Sequence, residues 1–176
     1  MLNEKDNPMA KEKTLHDLFE DTLKDIYFAE KKILATLPKM AKAAQSERLV
    51  EAFEAHRDET EEHVSRLEQI FQIIGKAAKG KTCDAIVGIV EEGAEIMKEY
   101  KNMPALDAGL LAAAQAVEHY EISRYGTLRT WAEELGLSDA ATLLAKTLAE
   151  EKKADSKLTE IAEGEVNLHA EAASSR

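Results

Sequence analysis

From Thr14 onward, apolar residues recur three and four positions apart with charged residues between them, the mark of helices that bury one stripe each. The first stripe runs through Leu15, Phe19, Leu23, Ile26, Ile33 and Leu37 and fades near Ala44. Thr14 is placed to cap it, and Asp17, three residues on, can complete a capping box. Pro38 falls inside the stripe, so a kink or an early stop is expected there. Ser46 opens a second pattern, through Leu49, Phe53, Leu67, Ile70 and Ile74, which Gly75 closes. After "GKAAKGK", a shorter helix over about residues 82–101 is marked by Ile86, Ile89, Val90, Ile96 and Met97. Pro104 suits the first turn of a fourth helix that ends at Leu135 before Gly136. Ser138 then caps a last helix reaching residues 163–164. No segment alternates like a strand, so the chain reads as all-α.

Short loops join the first two long helices and the last two, which makes each pair an antiparallel hairpin. A connection of about 25 residues carrying the short helix links the pairs, the ferritin-like arrangement of a four-helix bundle. The bundle is expected over residues 14–163, with flexible tails at 1–13 and 164–176. At 44% hydrophobic residues the chain can bury a sizeable core. The net charge of -11 argues against nucleic acid as a partner. No apolar run resembles a secretory signal or a membrane span, so no membrane partner is expected and the cytoplasm is the expected location. Cys83 is the single cysteine, which leaves no intramolecular disulfide and no thiolate zinc site.

The informative residues are polar ones on the apolar stripes. On a helical wheel centred on His56, His63 falls at about -20°, Thr60 at about +40° and Glu59 at about -60°, all on the side of Phe53 and Leu67. The other charged residues of "EAHRDETEEHV" fall on the opposite side. Glu30 lies between Ile26 and Ile33 on the first helix, and Glu118 and Glu121 share a face with Leu111, Ala114 and Tyr125. Glu151 and Asp155 line up with Leu144, Leu148 and Leu158. Glu30 and Glu59 are each about fifteen residues from the first hairpin turn, as Glu121 and Glu151 are from the second, so each pair is level across its hairpin. An ionised carboxylate in a core must be paired, protonated or bound to a metal. Oxygen-rich coordination with a few imidazoles suits iron or manganese, with zinc a competitor.

The stretches "LHDLFEDTLKDIYFAEKKIL", "FEAHRDETEEHVSRLEQIF", "AVEHYEISRYGTLRTWAEELG" and "LLAKTLAEEKKADSKLTEIA" together resemble the YciE/YciF-type bacterial stress proteins, a ferritin-like, rubrerythrin-related family. The resemblance spans about residues 14–163. It implies a dinuclear metal centre, a homodimer and a stress-response role, without supplying a reaction. Carboxylate sites of this kind commonly use Glu on two helices and Glu-x-x-His on the other two. Here His56-x-x-Glu59-x-x-x-His63 flanks a carboxylate with histidines, and Glu151-x-x-x-Asp155 has no histidine. Glu118-x-x-Glu121 is similar to the double carboxylate of peroxide-reducing rubrerythrin relatives.

The expected metal set is therefore Glu30, His56, Glu59, His63, Glu118, Glu121, Glu151 and Asp155, holding two iron ions, with manganese or zinc as alternatives. Glu59 and Glu151 are the expected bridges, while His56 is balanced between ligation and hydrogen bonding to a carboxylate. His119 points about 100° away from Glu118 and reads as a supporting or exposed residue. Tyr27, Tyr120 and Tyr125 lie near the same layer and read as packed, with satisfied hydroxyls. The leading function is a non-haem di-iron protein that oxidises Fe(II) or reduces peroxide or O2. With no Cys-based module, electrons would come from an external donor or from incoming Fe(II). Two alternatives stand beside it: a stress-linked structural or interaction bundle with a silent metal site, and a metal-free bundle held by buried ion pairs.

Overall fold

A computed structural model of the chain describes residues 12–174. Each apolar stripe becomes the buried side of a helix: α1 (Leu15–Ala43), α2 (Glu47–Ile73), α3 (Asp84–Glu99), α4 (Leu106–Glu134) and α5 (Ser138–Ile161). Among the described residues there is no strand, and no helix is long and apolar enough to cross a membrane.

The ends follow local chemistry. The Thr14 hydroxyl accepts from the Asp17 backbone N–H at 3.3 Å, and the Asp17 carboxylate accepts from the Thr14 N–H at 2.8 Å, forming the expected capping box. Ser46 caps α2 by accepting from the Leu49 N–H. Gly75 and Gly136 follow their helices at φ of 68° and 71°, a left-handed conformation that favours glycine. The early stop considered at Pro38 does not occur. Buried Leu37 and Met40 on either side anchor the helix past the missing N–H.

Three boundaries differ from expectation. Pro104 lies two residues ahead of α4, outside its first turn. Ser138 is the first residue of α5 and not its cap: the Leu137 N–H is already bonded to the Ala132 carbonyl at 2.8 Å, so the chain restarts its helix at once. The last helix also overruns residues 163–164, continuing through a π-helical turn, Ala162–Val166, into α6 (Asn167–Ser174). The reason is burial and anchoring. Ala162 and Val166 are buried, and the Glu165 carboxylate accepts from the Ser46 hydroxyl at 2.7 Å and lies 3.5 Å from Arg48. Residues 164–174 of the expected tail are thus helical. Of the expected N-terminal tail, residues 1–11 lie outside the described residues, as do residues 175–176.

In cross-section, α1 packs on α2 and α4 on α5, while α2 meets α5 and α1 meets α4 between the pairs. Helix α3 crosses over α1 and α4. Its approach to α4 needs Gly109, because a Cβ there would sit 2.6 Å from Ile96 Cγ2. Asp107 ties the hairpins together at one end, accepting from the backbone N–H groups of Gln45 at 2.9 Å and Ser46 at 2.7 Å. Aromatic and aliphatic layers, including Phe19, Leu23, Phe53, Phe71, Leu110 and Leu128, fill the interior. That leaves a polar stratum enclosed by apolar ones.

Candidate metal centre

The polar stratum is drawn from four helices. Glu30 comes from α1, His56 and His63 from successive turns of α2, Glu118 and Glu121 from α4, and Glu151 from α5. Glu30, His63, Glu121 and Glu151 are completely shielded from solvent, and Glu118 and His56 nearly so. Their atoms converge in two groups: His56, Glu118, Glu121 and Glu151, and Glu30, His63 and Glu151, with one ligand atom from each residue lying within 4.8 Å of the others in its group. Glu151 belongs to both. Its Oε1 lies 2.9 Å from His63 Nδ1, and its Oε2 lies 3.8 Å from His56 Nε2. His56 Nε2 is also 3.2 Å from Glu118 Oε1, and His63 Nδ1 is 3.5 Å from Glu30 Oε1.

These approaches are close but lack hydrogen-bond direction. Nine buried side-chain atoms in the stratum have no hydrogen-bond partner: Glu30 Oε2, both His56 nitrogens, His63 Nδ1, Glu118 Oε2, both Glu121 oxygens and both Glu151 oxygens. Elsewhere among the described residues only Asp25 Oδ1 and Arg129 Nε share that state. Buried polar atoms are rarely left unpaired. A concentration of unpaired carboxylate oxygens and imidazole nitrogens, groups that can all ligate once deprotonated, fits one or two cations, so the residues present suit a metal.

The electrostatics agree. Burial, and then the Glu151 charge, push the Glu118 and Glu121 carboxyls well above their ordinary value. Burial opposes charge on His63, but contacts with Glu151 and Glu30 outweigh it and raise the imidazole to about 10. Burial would raise Glu151 too, yet the His63 contact and the nearby His56 hold it low. Without a cation, the stratum is therefore balanced by protons on Glu118 and Glu121 and a charge on His63. A divalent ion can displace those protons.

The two histidines are held differently. His63 Nε2 lies 3.1 Å from Glu150 Oε2, which fixes the ring with Nδ1 toward Glu151 and Glu30. Glu150 is braced by Arg66, which donates to both of its oxygens (3.1 Å to Oε1) and to the Thr147 hydroxyl at 3.1 Å. Burial tends to raise Glu150, but Arg66 and then His63 hold it low. His56 has no such brace: the nearest carboxylate at Nδ1 is Glu59, at 3.6 Å. The Tyr125 hydroxyl donates to Glu30 Oε1 at the edge of the stratum.

Six of the eight expected residues thus come together. Glu59 joins neither group; its side chain is 42% exposed, because its position on the stripe's edge opens onto a groove beside Ala55 and Lys153. Asp155 also stays outside, accepting from Gln115 Nε2 at 3.2 Å and lying 3.2 Å from the exposed His119. Glu151 alone spans both groups, so the expectation of two bridging carboxylates is met by geometry at only one. Of the tyrosines, only Tyr125 reaches the stratum; Tyr27 donates to Glu68 at 2.8 Å and Tyr120 sits 3.1 Å from Cys83 Sγ. Arg66 and Glu150 carry no motif. The available signal was the spacing of Arg66, one turn after His63, with a carboxylate level with it on α5.

The family described as a domain of unknown function, DUF892, matches residues 14–171. Protein YciF of Escherichia coli strain K12 is 44% identical over 160 residues, covering 90% of this chain and 96% of that protein. The crystal structure of the E. coli stress protein YciF aligns with a TM-score of 0.84 at 45% identity, over 89% of this chain and 99% of that one. YcfI of Rhodopseudomonas palustris, whose proposed role is structural, aligns with a TM-score of 0.82 at 43% identity, over 86% and 96%. A protein of Xanthomonas campestris shares the fold, with a TM-score of 0.71 at 18% identity over 92% and 99%.

Proposed function

The chain belongs to this DUF892 family, and on that premise we propose that it is a ferritin-like stress-response protein. Its buried stratum would bind two metal ions, iron by preference, and react them with O2 or peroxide. The observation that supports this most is the gathering of nine unpaired buried carboxylate and imidazole atoms from six side chains on four helices. Glu30 and His63 would hold one ion, His56, Glu118 and Glu121 the other, and Glu151 both. Carboxylate oxygens with two imidazoles match iron or manganese, and zinc is the expected competitor. When bound, two redox-active metals supply two electrons, one from each, so that O2 and two protons leave as H2O2, or H2O2 and two protons leave as two waters.

The chain's own residues prepare that chemistry. Glu150 takes the Nε2–H of His63 and so presents Nδ1 inward, while Arg66 fixes Glu150. Glu118 and Glu121, which burial keeps protonated in the free stratum, would give up those protons on holding an ion. Tyr125 holds one oxygen of Glu30 and leaves the other for ligation. The reading includes the cytoplasm, a homodimer and an external electron donor, or incoming Fe(II) in that role.

A second reading is a structural or interaction bundle whose metal site is silent. The role proposed for the R. palustris relative favours it, as does the proton balance that lets the stratum stand without a cation. The test is diffraction at the Fe, Mn and Zn absorption edges on native protein, followed by anaerobic Fe(II) loading and rapid mixing with O2 or H2O2. Two ions at the stratum and oxidation on mixing support the di-iron reading. Bound iron that consumes neither oxidant leaves the silent site, and absence of any bound ion overturns both metal readings.

A further inference from the structure

A narrow apolar cavity, about 30 Å³ in volume, lies beneath α3 and reaches the stratum. Its outer wall is Val90, Gly93 and Met97 of α3, Phe53 forms part of its side, and His56 and Glu118 stand at its inner end. Apart from those two, only Thr36 among its lining side chains carries a hydroxyl, amide or charge. We propose that this cavity binds dioxygen and delivers it to the His56 end of the stratum, a proposal that rests on the metal-site reading above.

The argument is one of solvation. A cavity needs roughly 10–15 Å³ in this measure to hold one water, but a water also needs two to four polar partners. Here the space suffices for a molecule of water size, while the wall away from His56 and Glu118 offers almost nothing to bond with. Such a space favours a small apolar guest. Peroxide, with two donors and several acceptor sites, would lose its hydration on entering. A different approach is open to it: the groove between α2 and α5 is bordered by Glu51, Glu59, Lys153 and Lys157, and Glu59 lies 3.6 Å from His56 Nδ1. The two oxidants would thus approach the same imidazole from different faces.

Gly93 offers a way to close the apolar path. A Cβ there would meet only Ala113 Cβ, at 3.5 Å, so a side chain can be added without collision at its root. In Gly93→Val, and independently in Val90→Phe at the outer wall, iron stoichiometry and melting temperature should stay near wild type. Oxidation of loaded Fe(II) by O2 should slow at least tenfold, and oxidation by H2O2 should change less than about twofold. Equal slowing with both oxidants, or no slowing with O2 in either variant, overturns the proposal. A second arm needs no metal: metal-free crystals under xenon pressure should show one xenon atom between Val90 and His56, lost in Gly93→Val. Absence of xenon there rejects the cavity itself. Xenon in place with iron that ignores O2 would mean that the metal reading has failed and the delivery role with it, while the cavity remains a site for apolar gas.

Discussion

The two ends of the buried stratum are built on different plans. At the His63 end the imidazole and one carboxylate have an outer support: Glu150 holds His63, Arg66 and Thr147 hold that brace, and Tyr125 holds Glu30. At the His56 end neither ring nitrogen is hydrogen-bonded, Glu121 has two unpaired oxygens, and a cavity opens alongside. A ligand held by a second layer is oriented before any ion arrives, whereas an unbraced one can adjust to the ion it meets. On the proposed metal reading, the position around His63 would be the tighter and slower to exchange, and the one around His56 the more adaptable.

The strongest way to break this contrast is at the residue both ends share. Glu151→Ala should abolish binding at both, taking metal content per chain from about two to near zero, as elemental analysis after Fe(II) loading and desalting would show. Retention of one full ion would mean the ends are independent. Next comes the brace. Arg66→Leu strands Glu150 and should cost about 2 kcal/mol in denaturant unfolding, the scale of hydrogen bonds to charged groups. It should also weaken the tighter of the two binding events about 10- to 100-fold in calorimetric titration. If the weaker event suffers instead, the assignment of the ends is reversed.

A smaller effect concerns protons. In the metal-free chain, Glu118, Glu121 and His63 hold protons at pH values where the unfolded chain has released them. Unfolding therefore releases protons, and stability should fall as pH rises from the ordinary glutamate value of 4.5 toward the raised His63 value of about 10. Glu150 and Glu151 are shifted downward and act only below the lower limit of that window. Metal-loaded protein should show the opposite slope through the acid half of the window, because the ligands bind deprotonated. Melting curves with and without a chelator would reveal parallel slopes if no ion displaces these protons. The smallest expected effect is at the rim. Glu59→Gln should leave two ions bound, with affinity changed less than about threefold, far below the cost of losing an oriented ligand.

The stripes that fixed the helices also located most of the stratum, because a charged residue in an apolar stripe has few places to go. Glu30, His56, His63, Glu118, Glu121 and Glu151 were all legible in this way. Glu59 shows the limit of the method. It and Arg66 are seven residues apart on nearly the same edge of α2, yet Arg66 is buried against Thr147 and Glu150 while Glu59 opens to a groove walled by Ala55 and Ala154. What separates them is the neighbouring helix α5, which a single-helix projection does not contain. Asp155 fails for a similar reason, since one turn beyond Glu151 its carboxylate meets Gln115 and His119. At the C-terminal end, the last helix is expected to reach only residues 163–164, but buried Val166 and anchored Glu165 carry it past them.

Helix α3 and its flanking loops join the two hairpins, and each hairpin supplies half of the clustered side chains: Glu30, His56 and His63 from one, Glu118, Glu121 and Glu151 from the other. Neither half can grip an ion in the manner of the whole. An ion held there would work as a clasp, and a nascent chain that has made only its first hairpin would have nothing to close it on. Capture of an ion there would therefore await synthesis and pairing of both hairpins, and fragments left by proteolysis between the halves would not retain it.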